Sequence, residues 1–122
     1  MIVYLDSSLL LALVGPESFP YIDGAERALK EGHRLATSTL AILEGVAAVP
    51  FVEKVVPLLD KLCADTYSLG SAEQTEALHL MHRHGLAPGQ AHHAAIALCN
   101  RAAMYSLLVY GIPGLHAYPL HP

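Results

Sequence analysis

The sequence predicts an α/β domain with a mainly parallel sheet covered by helices on both faces. Short runs rich in β-branched and aromatic residues alternate with longer segments of helical periodicity, and Gly and Pro residues fall between several of them. With 122 residues and 53% hydrophobic content, the chain can build one core but is too short for two ordinary domains. We therefore expect residues 1–122 to form a single domain.

The first half of the chain predicts two strands and four helices. In order, these are a strand over 2–5, a helix that ends at Gly15-Pro16, a helix from Tyr21 to Lys30 stopped by Gly32, the extended piece HRLATST, a helix that runs to Val49-Pro50, and the helix FVEKVVPLLDKLCA. Either Ser38 or Thr39 is expected to cap the helix that ends at Val49-Pro50.

The second half predicts one brief strand, two helices and one or two closing strands. In order, these are TYSLG, the helix SAEQTEALHLMHRHG with a Ser71 cap and a Gly85 stop, the long helix PGQAHHAAIALCNRAAM, the strand YSLLVYG, and LHAY as a final strand. This alternation of strands and helices predicts a three-layer arrangement.

Asp6 ends the first strand inside a strongly apolar run, MIVYLDSSLLLALV. An ionised carboxylate in such surroundings costs several kcal/mol unless something pairs with it. One interpretation is a cap for the following helix, a task that Ser7 or Ser8 could also perform. The other is a functional site, because ligands gather at the carboxyl ends of parallel strands. The position favours the site.

Glu44 is the second candidate, because its neighbours at helical spacing, Leu40, Ala41, Ala47 and Ala48, are all apolar. This pattern predicts a carboxylate on a core-facing stripe, where it needs a partner. The alternatives are a single structural hydrogen bond or a position at the edge of the stripe. Two converging carboxylates would hold a divalent cation.

The charge pattern limits the classes of molecule that this protein can bind. The net charge is -4, and seven Lys and Arg residues are scattered along the chain, so no basic stripe is available to grip a phosphate backbone. Cys63 and Cys99 lie in separate helical patterns, which suits reduced thiols in a cytoplasmic protein. We expect no signal peptide and no membrane span.

Four motifs together resemble the PIN domains, and among them the VapC-type toxins of toxin–antitoxin pairs. MIVYLDSSLLLALV is similar to the family's opening strand with its acid and hydroxyl residue, and STLAILEGVAA to the helix that carries its Glu. HGLAPGQAHHAAIAL stands where the family has its third acid, and YSLL where it has Thr, any residue, Asp. The resemblance implies a three-layer α/β/α fold in which acids gather magnesium or manganese ions to hydrolyse RNA.

Carried over residue by residue, the resemblance assigns Asp6 and Glu44 as catalytic metal ligands and places Ser8 and Ser106 beside them. The third acid falls on Gln90 and the fourth on Leu108. No Asp or Glu occurs between His79 and Pro122, so a register shift cannot restore either acid. Halving the carboxylates weakens any magnesium or manganese site and makes a two-metal mechanism improbable.

Histidine is the other potential metal ligand. His93 lies three residues after Gln90 on the same helical face, where it would complete a softer site that leans toward manganese or zinc. The alternative, which we favour, is a hydrogen-bonded residue packed beside the site. His79, His82 and His84 offer i, i+3 spacing for zinc, but imidazoles in a last helical turn also interact favourably with the helix dipole, and this is the preferred explanation.

Three functions fit these observations. The first is a degenerate PIN-like protein with weak or lost nuclease activity that acts through RNA or protein binding. The second is an active magnesium- or manganese-dependent endoribonuclease toxin with a rebuilt metal shell. The third is a self-associating module, expected as a homodimer, whose apolar face binds a small antitoxin-like protein.

Overall fold

The computed structural model describes residues 1–46 and 51–120, and this part of the chain forms one parallel four-stranded sheet with six helices. The elements are β1 (Ile2–Leu5), α1 (Ser7–Val14), α2 (Phe19–Lys30), β2 (Arg34–Ser38), α3 (Thr39–Val46), α4 (Phe51–Lys61), β3 (Asp65–Tyr67), α5 (Ser71–His84), α6 (Pro88–Cys99) and β4 (Ala102–Tyr105). The strand order is β3-β2-β1-β4, and all pairings are parallel. The predicted α/β class is confirmed.

The side-chain alternation of β1 explains the three layers. Val3 and Leu5 are fully buried in a cluster with leucines of α1 and residues of α2 and α4, whereas Tyr4 packs on the other face against Ile96 and Ala97 of α6. In the first cluster, each buried leucine of α1 contributes about 1.5–3 kcal/mol through removal of apolar surface from water. Both faces of the sheet are therefore apolar, as a doubly covered parallel sheet requires.

The strand order brings three polar residues to one edge of the sheet. Asp6 follows β1, Ser38 ends β2 and Ser106 follows β4, and all three side chains are buried. Because β1 is paired in parallel with both β2 and β4, the carboxyl ends of these strands are neighbours. The same strand order places the loops that follow β1 and β4 side by side.

The end of the chain differs from the prediction. The last helix ends at Cys99, Asn100 is its C-cap, and Ala102 to Met104 belong to β4 rather than to the helix. The predicted strand YSLLVYG is wrong, because only its first residue, Tyr105, lies in a strand. The segment LHAY contributes a single bridge, between Met104 and Ala117. Arg101 adopts the left-handed conformation at φ 53°, a turn that glycine would normally have signalled.

Two helix starts also differ. The second helix begins at Phe19 rather than Tyr21, with a proline in its first turn. The fifth helix begins at Ser71 with Gly70 as its N-cap, so Ser71 does not cap it, whereas the predicted stop at Gly85 is confirmed by its left-handed conformation. The predicted helix end at Val49-Pro50 lies outside the described residues. Within the described residues, no helix combines the length and apolarity needed to span a bilayer.

The C-terminal segment is held against α2 by Arg27. The Arg27 guanidinium donates to the Tyr118 hydroxyl at 3.2 Å and to the Pro119 carbonyl at 2.8 Å, and it lies 5.3 Å from the Tyr118 ring centre. The Tyr118 hydroxyl in turn donates to Glu31 at 2.8 Å. These contacts join residues about ninety positions apart and fix the segment over β4.

Gly→Ala usually stabilises a helix, but Gly24→Ala should destabilise this protein. Tyr105 lies over Gly24 and donates to the Tyr21 carbonyl at 2.9 Å, so a Cβ at position 24 would lie 2.1 Å from the Tyr105 hydroxyl. We expect Gly24→Ala to lower the free energy of unfolding in urea by about 1–3 kcal/mol through overpacking. In a protein that already carries Tyr105→Phe, Gly24→Ala should lower the free energy of unfolding by less than it does in the parent. A stabilising Gly24→Ala, the ordinary helix result, would contradict this packing.

Candidate functional site

Asp6 is a fully buried carboxylate that begins α1. Its Oδ1 accepts from the Leu9 backbone N–H at 3.1 Å and from the Ser8 hydroxyl at 2.7 Å. Asp6 itself, rather than Ser7 or Ser8, therefore caps the helix, and this cap was the alternative to the favoured interpretation of Asp6 as a site residue. These bonds also place the charge at the positive end of the helix dipole.

The second oxygen of Asp6 faces the loop after β4. Oδ2 accepts from the Ser106 hydroxyl at 2.5 Å and from the Tyr110 hydroxyl at 2.7 Å. Together with the two donors on Oδ1, these bonds use the roughly four lone-pair positions of a carboxylate. No cationic side chain among the described residues pairs with this buried charge, and the hydrogen bonds offset its desolvation.

Tyr110 keeps its proton in this environment. Burial raises the pKa of Tyr110 well above the ordinary tyrosine value, and the negative charge of Asp6 and the hydrogen bond to it raise it further. A neutral phenol is a donor to the carboxylate. Tyr110 lies in the loop after β4, and sequence reasoning missed it as a partner of Asp6.

The two serine hydroxyls beside Asp6 have fixed directions. Ser8 donates to Asp6 and accepts from the Leu107 N–H at 3.2 Å, and Ser106 donates to Asp6 and accepts from the Leu108 N–H at 2.9 Å. Each hydroxyl has one proton, and Asp6 uses both. The 3.1 Å approach of the two Oγ atoms is therefore a contact between acceptors rather than a further bond. The loop backbone is tied to the carboxylate through these hydroxyls.

Glu44 belongs to a second hydrogen-bond network. Its Oε1 lies 2.5 Å from His93 Nε2, while His93 Nδ1 lies 2.7 Å from the Tyr4 hydroxyl. That hydroxyl is also 2.7 Å from Ser38 Oγ, which accepts from the Ala41 N–H at 3.0 Å. All groups are satisfied when Ser38 donates to Tyr4, Tyr4 to Nδ1, and Nε2–H to Glu44. The interpretation of His93 as a hydrogen-bonded residue fits this geometry.

Tyr4 is the centre of this network. It is fully buried, and desolvation raises its pKa well above the usual range, with the charges of Asp6 and Glu44 as further contributions. Tyr4 therefore stays neutral and joins β1 to β2 and α6. Sequence reasoning missed both Tyr4 and Ser38 as members of a polar network, although Ser38 as the helix cap is confirmed.

Glu44 does not lie inside the core. Its side chain is 36% exposed, and its Oε2 lies over the first turn of α6, where a Cβ on Gly89 would come within 2.9 Å. The expectation of a core-facing carboxylate is therefore wrong, and the edge position is correct. Ala47 and Ala48, which suggested the core-facing stripe, lie outside the described residues. The N-terminus of α6 favours the negative charge at this position.

The two replaced acid positions lie in different surroundings. Gln90 occupies the first turn of α6 next to Gly89 and is half-buried. Leu108 was expected to end a strand, but it lies in the loop three residues after β4 with its side chain 44% exposed. Only the backbone of Leu108 reaches the site, through its bond to Ser106. Neither side chain supplies a charge to Asp6.

The described donor set does not fit a divalent cation. Among the residues described, no three His, Cys, Asp or Glu side chains converge closely enough to hold a metal ion. A cation on Asp6 would have to displace one of four hydrogen-bond donors, while Glu44 is bonded to His93. Magnesium needs near-octahedral oxygen ligands and gives up its water reluctantly. Zinc at His79, His82 and His84 has no converging ligand group either.

The comparisons with known proteins agree with this fold. No family model and no curated protein matches the chain. Among solved structures, VapBC2 from Rickettsia felis bound to a promoter DNA fragment matches at TM-score 0.76 and 18% identity, covering 96% of this chain and 97% of that one. A toxin–antitoxin complex from Klebsiella pneumoniae matches at TM-score 0.70 and 17% identity, covering 96% and 98% of the two chains.

A third similar structure is the sarcin-ricin loop cleaving toxin VapC20 from Mycobacterium tuberculosis, with TM-score 0.64, 12% identity, and 87% and 89% of the two chains covered. The class is thus a three-layer α/β/α domain with a buried acid at the carboxyl edge of its sheet. Its fold is that of the VapC-type PIN domain, and the resemblance is confirmed at the level of the fold. At these identities the activity does not follow from the likeness.

Removing the Tyr4 hydroxyl tests the Glu44–His93 network. We expect Tyr4→Phe to lower the free energy of unfolding by about 1–3 kcal/mol, because His93 and Ser38 each lose a buried partner. Chemical denaturation provides the measurement. Tyr67→Phe is the matched control, since Tyr67 lies half-buried on the edge strand β3. Equal effects of the two substitutions would mean that the network contributes no stability.

Proposed function

We propose that this chain is a VapC-like protein whose acidic site is degenerate, and that it acts by binding a partner protein rather than by cleaving RNA. The observation that carries the proposal is the saturation of Asp6 by four donors of this chain. A carboxylate in that state has no lone pair left for a metal ion. The site is built to bury a charge rather than to bind a cation.

The chemistry of phosphodiester hydrolysis supports the same conclusion. A two-metal mechanism needs carboxylates that bridge ions a few ångströms apart. Gln90 is a neutral amide and Leu108 has no side-chain oxygen. Glu44 keeps a carboxylate, but its hydrogen bond goes to His93 rather than to a member of the Asp6 network. No described side chain bonds to both carboxylates.

Charge and exposed apolar surface favour a protein partner over RNA. The net charge is -4 with seven scattered cations, which gives little attraction to phosphate. In contrast, Leu11 of α1, Leu43 of α3 and Val56 of α4 are exposed on three helices that pack against one another. Leu107 lines the same cavity, of about 360 Å³, as Leu11. We propose that these exposed apolar side chains belong to a protein interaction surface.

The similar structures supply the class of partner. One holds VapBC2 with promoter DNA and another is a toxin–antitoxin complex. We propose a small antitoxin-like protein that lays an apolar helix face against α1, α3 and α4. A homodimer and a cytoplasmic location remain predictions that belong with this function.

The first test is RNA cleavage. We expect the parent protein with magnesium or manganese to cleave single-stranded RNA no faster than Asp6→Ala, because neither has the charge needed to hold the metal. Gel analysis of labelled RNA provides the measurement. Cleavage by the parent that disappears in Asp6→Ala would overturn the proposal and establish the alternative, an active endoribonuclease with a rebuilt metal shell.

The second test is partner binding. The candidate partner is any small protein encoded next to this gene. It is co-expressed with this chain, and binding is measured by calorimetry. We expect Leu43→Glu to weaken binding by at least about tenfold, because it puts a charge into an apolar interface. Leu78→Glu on α5 is the matched control, since Leu78 is 64% and Leu43 68% exposed. No complex with the parent, or equal losses in both variants, would contradict the proposed partner surface.

A further inference from the structure

Among the described residues, Asp6 accepts from four donors: two serine hydroxyls, one N–H of the helix N-terminus, and the phenol of Tyr110. Tyr110 lies four residues beyond Ser106, and the loop turns back so that both hydroxyls reach the same Oδ2 atom. The phenol is 2.7 Å from that oxygen, an ordinary length for a hydrogen bond to a carboxylate.

The position of this hydroxyl is the one that a cation would need. Oδ1 is held by the helix cap and the Ser8 hydroxyl, whereas Oδ2 faces the loop after β4. Both lone pairs of Oδ2 are taken by Ser106 and Tyr110. A magnesium or manganese ion lies about 2.0–2.2 Å from its oxygen ligands and would have to expel one of these two donors.

We infer that the Tyr110 hydroxyl takes the place of a cation at Asp6, so that a proton donor of this chain satisfies the carboxylate and anchors the loop over residues 106–111. This inference rests on the proposed function, because it explains how a metal-free site keeps its buried acid. It goes further because it names Tyr110 as the residue that replaces the metal and residues 106–111 as the loop that Tyr110 orders.

The anchored loop shapes the neighbouring surface. Leu107, Leu108 and Val109 form its exposed apolar tip, held between the bonded residues Ser106 and Tyr110. The same loop forms one wall of an apolar cavity of about 480 Å³, closed on its other side by the segment from Leu115 to Leu120. Losing the Tyr110 bond would therefore release a loop that carries exposed hydrophobic side chains.

Thermal melting in EDTA and in excess manganese tests the inference. We expect Tyr110→Phe to melt about 3–8 °C below the parent in EDTA, because Oδ2 of Asp6 loses a buried donor. Manganese should raise the melting temperature of Tyr110→Phe and leave that of the parent unchanged. Tyr105→Phe is the matched control, since it also removes a buried, bonded tyrosine hydroxyl, and manganese should have no effect on it.

Amide hydrogen exchange provides the second readout. The N–H groups of Leu107 and Leu108 bond to the hydroxyls that Asp6 holds. Their exchange should be faster in Tyr110→Phe than in the parent and unchanged in Tyr105→Phe. A general loss of stability would instead speed exchange in both variants alike, and that result would overturn the anchoring role.

A third variant, Tyr110→Asp, replaces the donor by a second carboxylate. The two like charges should repel each other in EDTA, and manganese should restore stability more than it does in Tyr110→Phe. If Tyr110→Asp does not fold, the comparison of Tyr110→Phe with Tyr105→Phe still decides the question.

The outcomes separate this inference from the proposed function. Manganese stabilisation of the parent equal to that of Tyr110→Phe would overturn the inference whether or not the parent cleaves RNA. Equal melting of Tyr110→Phe and the parent in EDTA would also overturn it. Failure to bind the adjoining small protein would contradict the proposed function and leave the role of Tyr110 unchanged.

Discussion

The buried charge of Asp6 is the constraint on which the carboxyl edge of the sheet depends. A carboxylate with no solvent exposure must find donors for both oxygens, and this chain supplies them from two directions. The helix N-terminus and Ser8 satisfy Oδ1, while the loop after β4 satisfies Oδ2. One charge therefore positions the start of α1 and the path of a loop about a hundred residues later in the chain.

The second network supplies the hydrogen-bond partner of Glu44 without using any donor of Asp6. Tyr4 lies in β1 and Asp6 directly follows this strand, but Tyr4 packs against α6, whereas Asp6 faces the loop after β4. Through Tyr4, His93 is connected to the end of β2, and through His93 the carboxylate of Glu44 is held at the start of α6. Two acids that could share a cation are thus each assigned their own hydrogen-bond partners. Fully satisfied polar networks of this kind specify a unique packing, because each unpaired group would cost more than the bond contributes.

The fold does not require an intact acidic site. The apolar clusters on the two faces of the sheet, centred on the α1 leucines and on α6, stabilise the layers without any contribution from positions 90 and 108. This separation accounts for a VapC-type fold at 12–18% identity to known toxins, since packing depends on apolar pattern and volume while the site depends on a few residues.

The sequence by itself determined the alternation of strands and helices, the position of Asp6 at a strand end, a helix cap at Ser38 or Thr39, and the absence of acids at Gln90 and Leu108. These features are local, because periodicity, capping and residue identity act within one or two helical turns or along a single strand. Only the tertiary structure decided that Tyr110 bonds to Asp6, that Glu44 lies at the edge rather than in the core, and that the chain leaves its last helix at Asn100 to form β4. The bond between Tyr110 and Asp6 joins residues 104 positions apart through a loop, where no periodicity exists to predict which side chain faces the site. The sequence thus identified which acid needed a partner, and the strand order decided which residue became that partner.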